Sequence, residues 1–248
     1  MLEIWLYSLI SVFIVSLVSL IGIVSISINT NKLSTIIIYF VSFSAGALFG
    51  DTFIHLIPEA YEMSSGISVA VYVLIGILIF FILEKIIHWQ HCHMPITSHH
   101  VHHFAYMNLI GDGLHNLIDG LIIGASYLAS IPIGIATTVA VVLHEIPQEI
   151  GDFGVLIYSG FSKAKAVFMN FLSALTAVIG TAIALIISQY VPNIQSILVP
   201  IAAGGFIYIA GSDLIPELHK ETKISKSLIQ LGAFILGIAI MFLLLLIE

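Results

Sequence analysis

The sequence predicts an all-α polytopic membrane protein. Three observations carry that prediction. Of the 248 residues, 59% are hydrophobic and only 8% are charged, whereas a soluble domain carries about 25% charged residues. Apolar stretches near the ~20 residues that a helix needs to cross a bilayer recur along the whole chain. The connections between them are short, so the chain reads as one transmembrane domain over residues 1–248. The net charge of −7 does not point to nucleic acid, because many of the acids lie inside apolar segments. A single cysteine, Cys92, excludes an intramolecular disulfide. The first apolar run has no basic flank or small-residue cleavage site and is too long for a signal peptide, so it reads as a retained span.

The length rule places about eight spans, near 4–28, 35–58, 67–87, 105–127, 131–158, 164–189, 194–217 and 226–247. The lysines test this count. The chain has no arginine, and Lys32, Lys85, Lys163, Lys165, Lys220, Lys223 and Lys226 all fall in alternate connections. With eight spans they share one side of the membrane, which is the positive-inside pattern. Both termini then lie outside.

An internal repeat is visible. Ser44-Ala45-Gly46-Ala47 leads to His55-Leu56-Ile57-Pro58-Glu59, and Ala202-Ala203-Gly204-Gly205 leads to Asp213-Leu214-Ile215-Pro216-Glu217, without a gap. The first copy ends span 2 outside and the second ends span 7 inside. The copies therefore have opposite topology, as inverted-repeat transporters require.

Spans 4 and 5 carry the chemistry. Ionisable groups at mid-membrane cost roughly 2.5–3.5 kcal/mol each on insertion scales and mark function. In span 4, Asp112, His115, Asn116 and Asp119 follow helical spacing. In span 5, His144 and Gln148 share one face, and Glu145, Glu149 and Asp152 share the adjoining one. Antiparallel neighbours would bring both sets to one depth. Imidazole suits zinc and other borderline transition metals, and carboxylate offsets the charge of a divalent ion. Pro147 removes a backbone donor and frees the carbonyl at 143, which can then face a cavity or ion path. The glycines at 111, 113, 120 and 151 let neighbouring helices approach closely.

The segments His115-Asn116-Leu117-Ile118-Asp119-Gly120 and His144-Glu145-Ile146-Pro147-Gln148-Glu149-Ile150-Gly151-Asp152 resemble the paired motif of ZIP (Zrt/Irt-like) metal transporters. The resemblance covers the whole chain. It implies a fold of three, two and three helices, with spans 1–3 and 6–8 related by inverted symmetry. It also implies divalent metal uptake toward the cytoplasm, usually of zinc, by a homodimer that moves in an elevator-like shift. By position, His115, Asp119 and His144 would hold a first metal, with Gln148 at a fourth place. Asn116 and Glu145 would hold a second metal, with Asp119 bridging. Many members place His or Glu where this chain has Gln148, and a neutral amide is the weaker ligand. Asp112, Glu149 and Asp152 fit the ion path or the support of the ligands.

Other residues extend this reading. Asp51 and His55 share a face of span 2 toward its outer half, either as an outer gate or as an interfacial bonding pair near Pro58. Glu59 and Glu62 either attract cations by charge or are simply solvated. Asp213 and Glu217 occupy the mirrored place on the inner side, where an exit would lie. The segment 88–103 carries His88, His91, His93, His99, His100, His102 and His103. Such tracts bind metal loosely, and a cytoplasmic loop there would catch ions or serve as a flexible connector. The metal is expected as substrate, whether zinc, iron, manganese or cadmium, with no cofactor. A plasma-membrane location is expected.

Two other functions are weighed. His144-Glu145 opens the H-E-x-x-H pattern of an intramembrane zinc metalloprotease, but its fifth place is Gln148 rather than a second histidine. A cation-diffusion-type exporter also uses His and Asp on two membrane helices, but has about six spans and a soluble C-terminal domain.

Overall fold

Backbone polar groups in hydrocarbon must find partners within the chain, and helices satisfy that condition segment by segment. The computed structural model describes residues 2–22, 30–64, 66–89 and 98–247, and no strand occurs among them. The regular elements form eight long helical segments. They are α1 (Leu2–Val18), α2 (Thr30–Gly50, continuing through Asp51–Leu56 and Ile57–Met63), α3 (Ile67–Trp89) and α4 (Ser98–Ala129). After them come α5 (Ile131–Tyr158), α6 (Lys163–Ala174 and Thr176–Ile187), α7 (Gln195–Tyr208, Ile209–Leu214 and Ile215–Leu218) and α8 (Ile224–Leu244).

Six of these are long and apolar enough to cross a bilayer, and Leu2–Val18 is a shorter apolar helix. The remaining segment, α4, carries Asp112, His115, Asn116 and Asp119. These are the segments of an all-α polytopic membrane protein. The boundaries differ from the expected ones mainly around the histidine-rich stretch. There α3 runs on to Trp89 and α4 begins at Ser98, so the connection is shorter than 88–103. His91 and His93 lie outside the described residues. The described part of His88, His99, His100, His102 and His103 is their helical backbone.

The helices sort into two groups. In one, α2 packs along α8 and α3 along α7. In the other, α4 packs against α5 and α6, and α1 lies against α5 and α6. The groups meet where α2 touches α5 and α7 touches α4. Exchanging α2 with α7 and α3 with α8 maps the first pair of contacts onto the second. That is the relation the inverted repeat requires.

Two details repeat with the same symmetry. At the α2–α8 crossing, a side chain on Gly46 would strike the Phe234 carbonyl, and one on Gly237 would strike the Phe43 carbonyl. At the α3–α7 crossing, Gly76 faces the Ile201 carbonyl and Gly204 the Val73 carbonyl. Small residues let backbones meet where lipid gives no hydrophobic drive for association. The second detail is a wider, π-helical turn at 51–56 and another at 209–214, which the gapless alignment of Gly46 with Gly204 superimposes. The Ile57 N–H reaches the Thr52 carbonyl, and the Ile215 N–H reaches the Ala210 carbonyl. Each turn precedes a proline, Pro58 or Pro216, whose missing N–H breaks the ordinary ladder and favours such a bulge.

In the other group, α4 and α6 are joined by hydroxyls. Ser173 donates to the Leu109 carbonyl at 3.0 Å, Thr176 to Gly113 at 2.6 Å and Thr181 to Gly120 at 2.8 Å. These bonds fix α4, which carries half of the candidate site.

The glycine crossings give a direct test. Gly46→Ala or Gly204→Ala forces a backbone shift and should cost about 1–3 kcal/mol or more. Gly232→Ala has open space and should be neutral or stabilising by up to about 1 kcal/mol. Thermal midpoints of the detergent-solubilised variants measure the difference. Equal midpoints for Gly46→Ala and Gly232→Ala would contradict the packing described.

Candidate metal centre

The 3.6-residue period puts His115 and Asp119 one turn apart on α4, and the α4–α5 contact brings His144 and Glu145 opposite them. One ligand atom from each of these four residues lies within 4.8 Å of all the others. His115 Nε2 is 3.3 Å from His144 Nε2, 3.5 Å from Asp119 Oδ2 and 3.4 Å from Glu145 Oε1. His144 Nε2 is 3.1 Å from Asp119 Oδ2 and 3.4 Å from Glu145 Oε1. A tetrahedron of ligands about 2.0–2.1 Å from zinc has edges of about 3.3–3.4 Å. The five measured distances are close to that edge length.

The donor set fits a divalent cation in a low dielectric. Two neutral imidazoles add no charge, and two carboxylates balance the 2+ of the ion. Asp119, His144 and Glu145 are buried, and His115 keeps 18% of its side-chain surface. Asp119 Oδ1 is a buried acceptor without a hydrogen-bond partner, as a site built for a cation would leave it. His144 Nδ1 lies 3.2 Å from the Ala140 carbonyl. Donation there turns the Nε2 lone pair toward the cluster, the second-hydrogen-bond logic of metal-binding histidines. The ring of Phe206 from α7 packs edge-on against His144 at 6.1 Å.

The expected ligands divide. His115, Asp119 and His144 come together as the resemblance implied. A Glu145 oxygen joins them, 3.4 Å from both imidazoles. Gln148 lines, together with His115, a cavity of about 210 Å³. The Asn116 amide donates to Asp112, at 2.9 Å to Oδ1 and 3.1 Å to its carbonyl. Glu149 is buried and accepts from Asn170 of α6. Asp152 accepts from Asn108 Nδ2 at 2.9 Å.

The cavity gives the site a direction. Its walls include Asp112, His115, Gln148, Asp152 and Asp213, with Glu84 of α3. These residues lie from the cluster toward the end of the bundle where α3 gives way to α4 and α7 to α8. On the other side, Leu48, Leu56, Ile123, Tyr127, Ala140 and Phe206 are at most 1% exposed and form a closed apolar core. Tyr127 is held there by a 2.6 Å hydrogen bond with Ser11. Asp51 and His55 are buried on α2, and His55 Nε2 bonds the Met241 carbonyl of α8 at 2.9 Å. Glu217 is at the surface in an ion pair with Lys220.

Sequence reasoning missed Glu84, Tyr208, Asn108 and Asn170. Tyr208 donates to Glu84 across the α3–α7 pair at the cavity wall. Asn108 stands one turn before Asp112 and continues the same polar stripe, so helical spacing held its signal. Glu84 and Tyr208 share no local pattern, and only the packing joins them.

The carbonyl freed by Pro147 does not face an open path. The Ser44 hydroxyl of α2 takes the Leu143 oxygen at 2.5 Å.

Comparison with known proteins identifies the family. The ZIP Zinc transporter family matches residues 2–105 and 91–245. "Zinc transporter zipt-7.1" of Caenorhabditis briggsae is 33% identical over 276 residues, 84% of this chain and 70% of that protein. "Zinc transporter zipt-7.2" of Caenorhabditis elegans is 30% identical over 99% of this chain and 66% of its own length. "Zinc transporter ZIP13" of Pongo abelii is 34% identical over 81% of this chain and 64% of its own. The chain thus spans about two thirds of the length of these relatives, and only 18% of "Zinc transporter ZIP10" of Danio rerio. With a membrane-spanning helical fold and a family match that covers nearly the whole chain, the protein belongs to the ZIP family of metal-ion transporters and is not an enzyme.

Proposed function

We propose that this protein carries a divalent metal ion, zinc first, inward to the cytoplasm by alternating access through the α4–α5 centre. The carrying observation is the set of four ligand atoms, with measured pairs 3.1–3.5 Å apart, beside a cavity lined by further carboxylates. His115, Asp119, His144 and Glu145 hold the ion. Asp112, Gln148, Asp152 and Asp213 line its way out, and the carboxylates among them keep the path attractive to a cation. Gln148 and Asn116 complete a second, weaker station when two ions are bound, with Glu149 supporting it. Asp51 and His55 meet the ion on the opposite side once that side opens, and the 88–103 histidines catch it after release. Iron, manganese and cadmium are competing substrates, because this mixed donor set selects by geometry more than by affinity.

The lysine pattern supports placing the cavity on the cytoplasmic side and both termini outside; the plasma membrane is the expected location. The symmetric contacts of α2–α8 and α3–α7 support a rigid frame, along which the group α1, α4, α5 and α6 shifts with its ion. A homodimer through the frame is part of this reading.

Uptake into proteoliposomes tests the centre. His115→Ala and Asp119→Ala should each lower zinc uptake by at least about 10–100-fold, the range for weakened metal sites, while inserting normally. Normal uptake by either variant would overturn the assignment. A second pair of variants tests the fourth ligand. Glu145→Gln should weaken zinc binding about tenfold or more, and Gln148→Ala much less. The reverse order in a calorimetric titration would restore Gln148 to the fourth place and remove Glu145 from it.

A further inference from the structure

Pro147 has no N–H, so the Leu143 carbonyl loses its helical partner one residue before the ligand His144. The Ser44 hydroxyl lies 2.5 Å from that carbonyl and 2.7 Å from the Phe40 carbonyl of its own helix, so its one proton is shared between the two, and Ser44 is itself fully buried. The two residues belong to different helix groups. Ser44 lies on α2 of the frame, and Leu143 on α5 of the group that bears the ligands. The other interhelical side-chain bonds named here each stay inside one group. Ser11 with Tyr127, Asn108 with Asp152, Asn170 with Glu149 and the α6 hydroxyls tie the ligand-bearing group together. His55 with Met241, and Tyr208 with Glu84, tie the frame.

We propose that Ser44 is a positioning residue for transport: its bond to the Leu143 carbonyl fastens the ligand-bearing group to the frame while the cavity is open, and it breaks when the centre moves to the other face. The inference rests on the transport reading above. In hydrocarbon no water takes over an abandoned carbonyl, so losing the donor costs more than it would at a wet surface. The repeat adds a directional argument. Ala202 stands where Ser44 stands in the other copy and has no hydroxyl. The mirrored arrangement, with the cavity open to the other side, therefore has no equivalent tie from α7. The single serine biases the protein toward the state seen here.

The test uses the full chain with Cys92→Ser and one reporter cysteine, in proteoliposomes, with a thiol reagent that does not cross the bilayer. Ile118→Cys reports the cavity, and Ile123→Cys reports the closed side. Ser44→Ala should lower the ratio of Ile118 to Ile123 labelling about fivefold, the population change equal to a net hydrogen bond of ~1 kcal/mol. Zinc affinity should stay within about twofold, and Ser44→Thr, which keeps the hydroxyl, should restore the ratio. An unchanged ratio would overturn the proposal. So would a loss of zinc affinity with an unchanged ratio, which would mean that Ser44 only supports His144. If Ser44→Ala does not insert, Pro147→Ala replaces it, since its restored N–H gives Leu143 a partner within α5 and should lower the ratio in the same way. Wild-type protein that takes up no zinc would instead refute the transport reading.

Discussion

Two carboxylates held 3.1–3.5 Å from two imidazole nitrogens, inside an apolar bundle, are tolerable only if positive charge shares the space, as a bound cation or as protons on the imidazoles. Much of the surrounding architecture can be understood from that requirement. The four atoms must be kept close against their mutual repulsion and desolvation, so α4 and α5 need stiff backing. The hydroxyls of Ser173, Thr176 and Thr181 lock α4 to α6. The bond from His144 Nδ1 to Ala140 sets one ring, and Phe206 blocks its far side. A preorganised shell of this kind binds an ion without first gathering its ligands.

The same requirement explains the division of the bundle. Among the described residues, all four members of the cluster lie on α4 and α5 and none on the frame. The frame contributes apolar walls and the cavity residues Glu84, Tyr208 and Asp213.

Much of this was legible in the sequence because its signals are local or periodic. Hydropathy located the spans, and the lysines fixed their number. Spacing of three and four residues on spans 4 and 5 marked His115, Asp119, His144 and Glu145 as members of a polar face. The approach of a Glu145 oxygen to both imidazoles was not legible. It depends on how α4 is rotated against α5. Ser44 was equally silent, since a serine among small residues reads as packing. The freed carbonyl at 143 was foreseen from Pro147, but its partner came from a helix about a hundred residues away in sequence. Glu84 with Tyr208 belongs to the same class of pairs made only by tertiary packing.

The widened turns at 51–56 and 209–214 carry a geometric consequence. A helical turn that accommodates one extra residue is a stored rotation, because each residue of an ordinary helix advances about 100° around its axis. If the bulge in α2 migrated or closed, His55, Pro58 and Glu59 would swing round the axis by up to that angle while Gly46 kept its place against α8. In α7 the same event would turn Asp213 relative to Gly204. Each of α2 and α7 therefore joins a fixed bearing to a rotatable tip, one at either end of the bundle. Torsion about the helix axis, rather than bending across it, is the motion these two segments make easiest.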